Sequence, residues 1–249
     1  MYTHTSRPAL ERLARPAGAL YLAIAIAGGY SMGYLPAVLT VAGDASATAG
    51  NFVSHPSMVR LGIAADMIVM MAELAATALL YLMFKPVNPT LSLIAALARI
   101  SMAIIMGVNL ALKLGALSLA TGGGALAAFE RAQLDALTLL FTQIHQSGVY
   151  IWGLFFGVHL LVLGWLVLRS HAFPRLLGIL MMIGSLGYIF ETLQAFLMPD
   201  VPALIMGKNI LLAIVVVAEL SFALWLLIKG AKAPKSSHTT SRFFRKDRP

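Results

Sequence analysis

Six long apolar runs are the feature that most constrains the fold of this chain. A helix needs about 20 apolar residues to cross the hydrocarbon core of a bilayer, where every backbone polar group must be bonded within the protein. The runs are long enough for this, and turn-forming residues such as Pro86–Pro89 separate them. The sequence therefore predicts an all-α polytopic membrane helix bundle with six transmembrane helices, at about 17–41, 57–84, 90–119, 147–169, 174–197 and 203–229.

The composition supports a membrane protein and excludes several other classes. Hydrophobic residues make up 59% of the chain and charged residues only 11%, against roughly 45–50% and about 25% in soluble domains. So little charge does not cover a water-soluble surface. The chain has no cysteine, which excludes disulfides, thiolate metal sites and a cysteine nucleophile. The net charge of +8 lies in tails and short loops, so nucleic acid is not a predicted partner.

The positions of lysine and arginine predict the orientation of the helices. One side of a six-span arrangement carries Arg7, Arg12, Arg15, Lys85, Arg169, Arg175 and the C-terminal tail, whereas the other carries little beyond Arg60 and Arg131. We expect a multi-pass protein of a bacterial plasma membrane with both termini in the cytoplasm. The predicted regions are a cytoplasmic N-terminal segment (1–16), a single helical bundle (17–229) and a basic, disordered tail (230–249).

Two stretches leave alternatives open. Ala45–Ala47 resembles a signal-peptidase site, but the apolar run before it is too long for a signal peptide, so a retained span is predicted. Residues 125–146 predict one amphipathic outer helix, because charged residues interrupt an apolar pattern with helical spacing. The alternative is a seventh span, which would move the basic tail to the outside. That tail is expected to give orientation and solubility, or else to lie on anionic lipid.

Ionisable residues within the spans are the candidate functional groups. Each is costly in hydrocarbon, so it is expected to face the bundle and to find a partner. Residues equally far from a hairpin turn lie at similar depth, which predicts the pairs Glu73–Arg99 and Glu191–Lys208. These pairs either hold the helices in register or belong to a functional site.

Further polar residues share helix faces with these pairs. The predicted stripes on the second, third and sixth spans would line one buried polar cleft if they faced each other. Asp66, His159 and Glu219 are the groups expected to change protonation in use. The candidate site therefore consists of Asp66, Glu73, Arg99, Lys113, His159, Glu191, Lys208 and Glu219.

His159 has a simple predicted partner, because Ser185 lies at the same depth around the turn between their spans. His145 precedes His159 by fourteen residues, a spacing that membrane cytochromes use to hold two haems. Such sites also need histidines from a facing helix, and the other histidines fall in loops or tails. We therefore predict no haem, other cofactor or metal. Glycines at 28, 29, 33, 153, 157 and 164 are expected to allow close helix packing.

Several segments together resemble a known family. The segment "FFGVHLLVLGWLVLRSHAFPRLLGIL", followed by "GSLGYIFETL" with its acid Glu191, is similar to the most typical part of a bacterial multi-span family, the domain-of-unknown-function family 4386. "AGALYL", "GDASATAGNF" and "LYLMFKPVNPTLSLIAALARI" are also similar. The resemblance covers nearly the whole chain and implies an integral membrane protein, with no assigned activity.

Three function classes remain open. A small-molecule or proton-coupled transporter would use the buried acids and lysines as binding and relay groups. A non-catalytic scaffold or partner-binding protein would use the polar pairs for architecture alone. An intramembrane enzyme on a lipid-like substrate would use Asp66, Glu219 and His159 as acids or bases. The chain lacks the common hydrolase, zinc-protease and phosphate-loop motifs, so transport or binding through the polar cleft is the preferred prediction and an enzyme is not favoured.

Overall fold

The protein is a bundle of long helices. A computed structural model describes residues 7–199 and 201–231, with side chains from Arg12 onward. Within these residues the chain forms no β-strand and eight α-helices: α1 (Arg7–Gly28), α2 (Leu35–Leu39), α3 (Ala45–Ser54), α4 (Pro56–Phe84), α5 (Pro89–Thr121), α6 (Arg131–Ser170), α7 (Arg175–Leu197) and α8 (Pro202–Ile228). Six segments are long and apolar enough to cross a membrane, namely Arg12–Leu39 and the helices α4 to α8. The predicted all-α, multi-pass architecture is confirmed.

The long helices form a closed ring in chain order. α1 packs on α4, each later helix packs on the next, and α8 returns to α1. Glycines allow the closest approaches. A Cβ at Gly164 of α6 would lie 2.8 Å from the carbonyl oxygen of Gly178 in α7, and a Cβ at Gly178 would lie 2.6 Å from the carbonyl oxygen of Gly164. The two backbones therefore touch, and the prediction for Gly164 is confirmed.

The two ends of the ring are filled differently. The main apolar core includes Phe84, Leu163, Phe173, Phe222 and Leu226, all in the half that holds the start of α1 and the end of α8. A smaller apolar cluster, with Leu35, Phe52 and Ala116, supports the opposite half. That opposite half also holds α2 and α3, and we call it the α3 end of the bundle. Basic residues of the tail from residue 232 on lie outside the described residues.

A π-helical segment, Gly29–Tyr34, joins α1 to α2. The Leu35 N–H bonds to the carbonyl of Tyr30, five residues earlier, and Pro36 has no N–H to donate. The carbonyl of Ser31 therefore has no donor in its own helix at the usual positions. Gly29 and Gly33 lie in this segment, and a Cβ added at either would have nothing within 4 Å, so their predicted role in close helix packing is wrong.

The predicted boundary at residue 147 is also wrong. Residues 131–146 form the first part of α6, which continues unbroken through Gly148 into the fourth span. A capping box starts this helix, because Glu130 and Gln133 each accept a hydrogen bond from the other's backbone N–H. The helix passes Gly148 in direct contact with the Asn109 side chain of α5. The segment is therefore neither a separate helix nor a seventh span, and the short helix outside the six spans is α3, capped by Asp44.

Candidate functional site

Arg99 and Glu73 form an ion pair between α5 and α4. Arg99 Nε lies 2.6 Å from Glu73 Oε2, and the two side chains are 0% and 1% exposed. The predicted pairing is confirmed, because both residues lie at the same distance from the α4–α5 turn. Burial makes this pair sensitive to loss of either partner, since an unpaired charge would then remain in a dry environment.

Arg99 also connects α5 to α1 and α6. Its Nη1 donates to the Tyr21 hydroxyl at 2.6 Å and lies 2.9 Å from Nε2 of His159. The guanidinium carbon lies 4.5 Å from the centre of the Tyr21 ring, which adds a cation–π contact. One side chain thus ties four helices of the ring together.

His159 does not bind Ser185, so that prediction is wrong. Its Nδ1 lies 2.8 Å from the carbonyl oxygen of Ala95 in α5, whereas the Ser185 hydroxyl donates to the Met182 carbonyl of its own helix. Equal depth in the membrane does not decide which neighbour a side chain faces. His159 faces α5, and a ring of α6 itself, Phe156, lies parallel to its imidazole at 6.0 Å.

Glu219 of α8 is a second buried acid near the guanidinium group of Arg99. Its Oε1 is buried without a hydrogen-bond partner among the described residues, and it interacts electrostatically with Arg99 and Glu73. We call Tyr21, Glu73, Arg99, His159 and Glu219 the central cluster. The cluster draws on α1, α4, α5, α6 and α8.

Asp66 and Lys113 form a second ion pair between α4 and α5, nearer the α3 end of the bundle. The Lys113 ammonium also lies 3.5 Å from the carbonyl oxygen of Ser31, the group that the π-helical segment leaves without a helical donor. This pair was not predicted from the sequence, because Asp66 and Lys113 lie at unequal distances from the α4–α5 turn. The long lysine side chain makes the contact possible.

A cavity of about 260 Å³ lies above this second pair. Its walls come mainly from α2, the α2–α3 connection, α5 and α6. Lys113 lies eight residues before Thr121, the last residue of α5, so it lies roughly 12 Å along the helix from that end. The lining consists of Ser31, Leu35, Pro36, Leu39, Thr40, Ala42, Gly43, Phe52, Val59, Lys113, Ala116, Leu139, Thr142, Gln143, His145 and Gln146. We call this space the Lys113 cavity.

The third pair, Lys208–Glu191, joins α8 to α7 at 3.2 Å and is also confirmed. Its side chains are 15% and 25% exposed, and neither lines the Lys113 cavity. The eight predicted residues therefore fall into three groups rather than one cleft: Asp66 with Lys113, Glu191 with Lys208, and the central cluster.

Sequence reasoning missed three participants. Tyr21 had a signal, since it is a polar ring within an apolar run. Ser31 had a weaker one, because Pro36 removes a backbone donor five residues further on. His145 was considered only for haem, yet it lines the Lys113 cavity on α6. Among the described residues no group of three or more His, Asp or Glu side chains is arranged to hold a metal ion.

Comparison with known proteins gives a family but no activity. The model of a family described as a domain of unknown function, DUF4386, matches residues 16–230. The chain belongs to this family. DUF4386 membership confirms the resemblance seen in the sequence segments. An uncharacterised protein of Archaeoglobus fulgidus is 28% identical over 165 residues, which cover 66% of this chain and 81% of that protein. No solved structure matches the chain.

Proposed function

We propose that this protein binds a small molecule in the Lys113 cavity as a step in its transport. The observation that supports this most is a cavity whose lining includes a buried ammonium group, that of Lys113. Ligand pockets are mostly apolar, with a few polar groups that fix orientation, and typically measure roughly 300–1,000 Å³. The Lys113 cavity has this mostly apolar character with a few polar groups, and its volume of about 260 Å³ lies just below that range.

The Asp66–Lys113 pair supports a binding role because of where it lies. An ion pair costs free energy to bury, and apolar residues of similar volume often replace one without loss of stability. Charged groups inside membrane spans commonly mark substrate or ion pathways. Lys113 lies on the surface of a cavity and not in a packed core, which is the position a binding group needs.

Transport would require a bound molecule to pass the residues that close the bundle on the other side of the cavity. The central cluster and the main apolar core lie beyond the Lys113 cavity, toward the end that holds the start of α1. A molecule in the cavity would therefore be occluded on that side, and passage would require the contacts of Arg99 to rearrange. Glu219, with its unpartnered buried oxygen, would be the proton-binding group of a coupled mechanism.

The proposed setting is a bacterial plasma membrane with both termini in the cytoplasm, so that the α3 end of the bundle faces outward. The basic residues at the ends of α1, α6 and α8 and in the sequence of the tail support this orientation. Fusions of a reporter enzyme to each terminus test this orientation, if the enzyme is active only on the outer, non-cytoplasmic side of the membrane. Activity from either fusion would contradict the orientation. The tail is proposed to contribute orientation and solubility, with contact to anionic lipid as the alternative.

A scaffold without a ligand is the second candidate. It is favoured by the central cluster, where Arg99 is fully buried and joins four helices in the manner of an architectural contact. The enzyme hypothesis loses support, because its proposed residues are separated: Asp66 pairs with Lys113, whereas His159 contacts Arg99.

Cysteine labelling separates binding from scaffold, and the natural chain contains no cysteine to interfere. Thr142→Cys places a thiol on the cavity wall. Leu114→Cys is the matched control, since it follows Lys113 directly and its side chain is 45% exposed on the outside of the bundle. A membrane-impermeant thiol reagent should modify the first and not the second. Failure to label Thr142→Cys in the folded protein would favour the scaffold.

A further inference from the structure

We infer that the Lys113 cavity selects a neutral molecule with an apolar body and a hydrogen-bond acceptor, such as a ketone or ester carbonyl, and that Asp66 is the residue that excludes anions. This inference rests on the proposed binding function and names the ligand class for the same cavity.

The cavity offers donors from at least two residues. The Lys113 ammonium has three N–H groups, of which one bonds to Asp66 and one faces the Ser31 carbonyl. A third remains for a ligand. Ser31 lines the cavity, and its hydroxyl is buried with no hydrogen-bond partner among the described residues. An acceptor atom placed between the two would satisfy both.

The charge of this donor set is the deciding point. No acid is among the lining residues, but Asp66 already neutralises Lys113 from behind. A carboxylate entering the cavity would put two anions beside one cation in a low-dielectric space and would lose its hydration. An ammonium ligand would meet Lys113 directly. A neutral carbonyl avoids both costs and still accepts a charge-assisted hydrogen bond.

The walls define the rest of the ligand. Leu35, Leu39, Phe52, Val59 and Leu139 surround the space with apolar side chains. Their area favours an aliphatic or aromatic body, because transfer of such a surface out of water is favourable. The volume of about 260 Å³ suits a small molecule and excludes a whole phospholipid.

Matched probes test the ligand class on the purified full chain in lipid nanodiscs. Heptyl methyl ketone, nonanoate, nonylamine and nonane share one chain length and differ in the head group. We expect the ketone to bind roughly tenfold or more tightly than nonane, as a hydrogen bond to a charged donor provides. An isotopically labelled ketone should show a lowered carbonyl stretching frequency in the infrared, and Lys113→Met should abolish that shift.

Asp66→Asn tests the specificity role. The substitution leaves Lys113 without its counter-ion, so nonanoate should become the tightest probe of the four. Because an unpaired buried lysine destabilises the fold, binding is measured below the unfolding temperature of this variant. If the variant does not fold, the affinity of the wild type for nonanoate relative to the ketone tests whether the cavity excludes anions at all.

The outcomes distinguish a failure of the proposed binding function from a failure of the inferred ligand class. If none of the four probes binds to the wild type better than to Thr142→Trp, whose indole fills the cavity, the proposed binding function is wrong. If nonanoate or nonylamine binds the wild type most tightly, binding stands and the inferred ligand class is overturned. If the ketone binds best but Asp66→Asn folds and keeps the same ranking, Asp66 does not exclude anions.

Discussion

The Nε2 nitrogen of His159 accepts a hydrogen bond from the guanidinium group of Arg99. The His159 Nδ1 lies 2.8 Å from the Ala95 carbonyl oxygen, which has no hydrogen to give. The proton of the neutral ring is therefore assigned to Nδ1, and Nε2 accepts the N–H of Arg99 at 2.9 Å. The histidine thus bridges a backbone carbonyl and a guanidinium group of the same helix, and both of its ring nitrogens are used.

Replacing His159 should destabilise the central cluster. In His159→Leu the Arg99 N–H loses an acceptor inside the bundle, so the free energy of unfolding should fall by about 1–3 kcal/mol. Denaturant titration in detergent measures this loss. His171→Asn is the control: His171 is exposed after α6 with φ at 54°, a conformation that asparagine tolerates. Equal losses in the two variants would contradict the structural role assigned to His159.

The two confirmed ion pairs should differ in their contribution to stability. Glu73→Gln leaves the fully buried Arg99 without its counter-ion and should cost about 3–5 kcal/mol. Glu191→Gln breaks a longer pair whose side chains are less buried, so it should cost less than Glu73→Gln. Double-mutant cycles with Arg99→Met and Lys208→Met measure the coupling in each pair. A weak coupling between Glu73 and Arg99 would show that the central cluster does not depend on their charges.

The α6–α7 contact should not tolerate a methyl group. Gly178→Ala places a Cβ 2.6 Å from the Gly164 carbonyl oxygen, so the helices must separate, at a cost of about 1–3 kcal/mol. Gly207→Ala is the control, since nothing lies within 4 Å of its added Cβ and alanine is the better helix former by about 1 kcal/mol. Thermal unfolding should therefore show opposite shifts. A stable Gly178→Ala would mean that α6 and α7 are not in backbone contact.

Charge removal at the Lys113 cavity should separate folding from binding. Lys113→Met leaves Asp66 buried without its cation and should lower the free energy of unfolding by about 3–5 kcal/mol. The double variant Lys113→Met/Asp66→Asn removes both charges and should regain most of this loss. Both variants should bind the ketone probe no more tightly than nonane, because the ammonium donor is gone. Ketone binding by the double variant at wild-type affinity would contradict the role of Lys113.

The ion pairs show which contacts can be predicted by comparing how far two residues lie from the turn between their helices. Glu73–Arg99 and Glu191–Lys208 could be predicted because each pair is nearly symmetric about a tight turn, and antiparallel neighbours at equal depth meet. Asp66–Lys113 could not, because its residues lie at unequal distances from the turn and meet only through a long side chain and the actual helix packing. The predicted contact of His159 with Ser185 in α7 was wrong for a related reason. The depth of a residue in the membrane does not determine which neighbouring helix its side chain faces.

The number of spans and most of their boundaries followed from the sequence, because hydrocarbon permits only segments that bond their own backbone, and length and apolarity reveal these. The continuation of α6 through Gly148 did not, since a glycine costs a helix only about 1 kcal/mol relative to alanine and the packing of Asn109 against it is a contact between helices. The closed ring, the π-helical segment that frees the Ser31 carbonyl and the cavity beside Lys113 were decided only in the tertiary structure. They depend on contacts between helices far apart in the chain, and no local pattern of residues specifies which helix faces which.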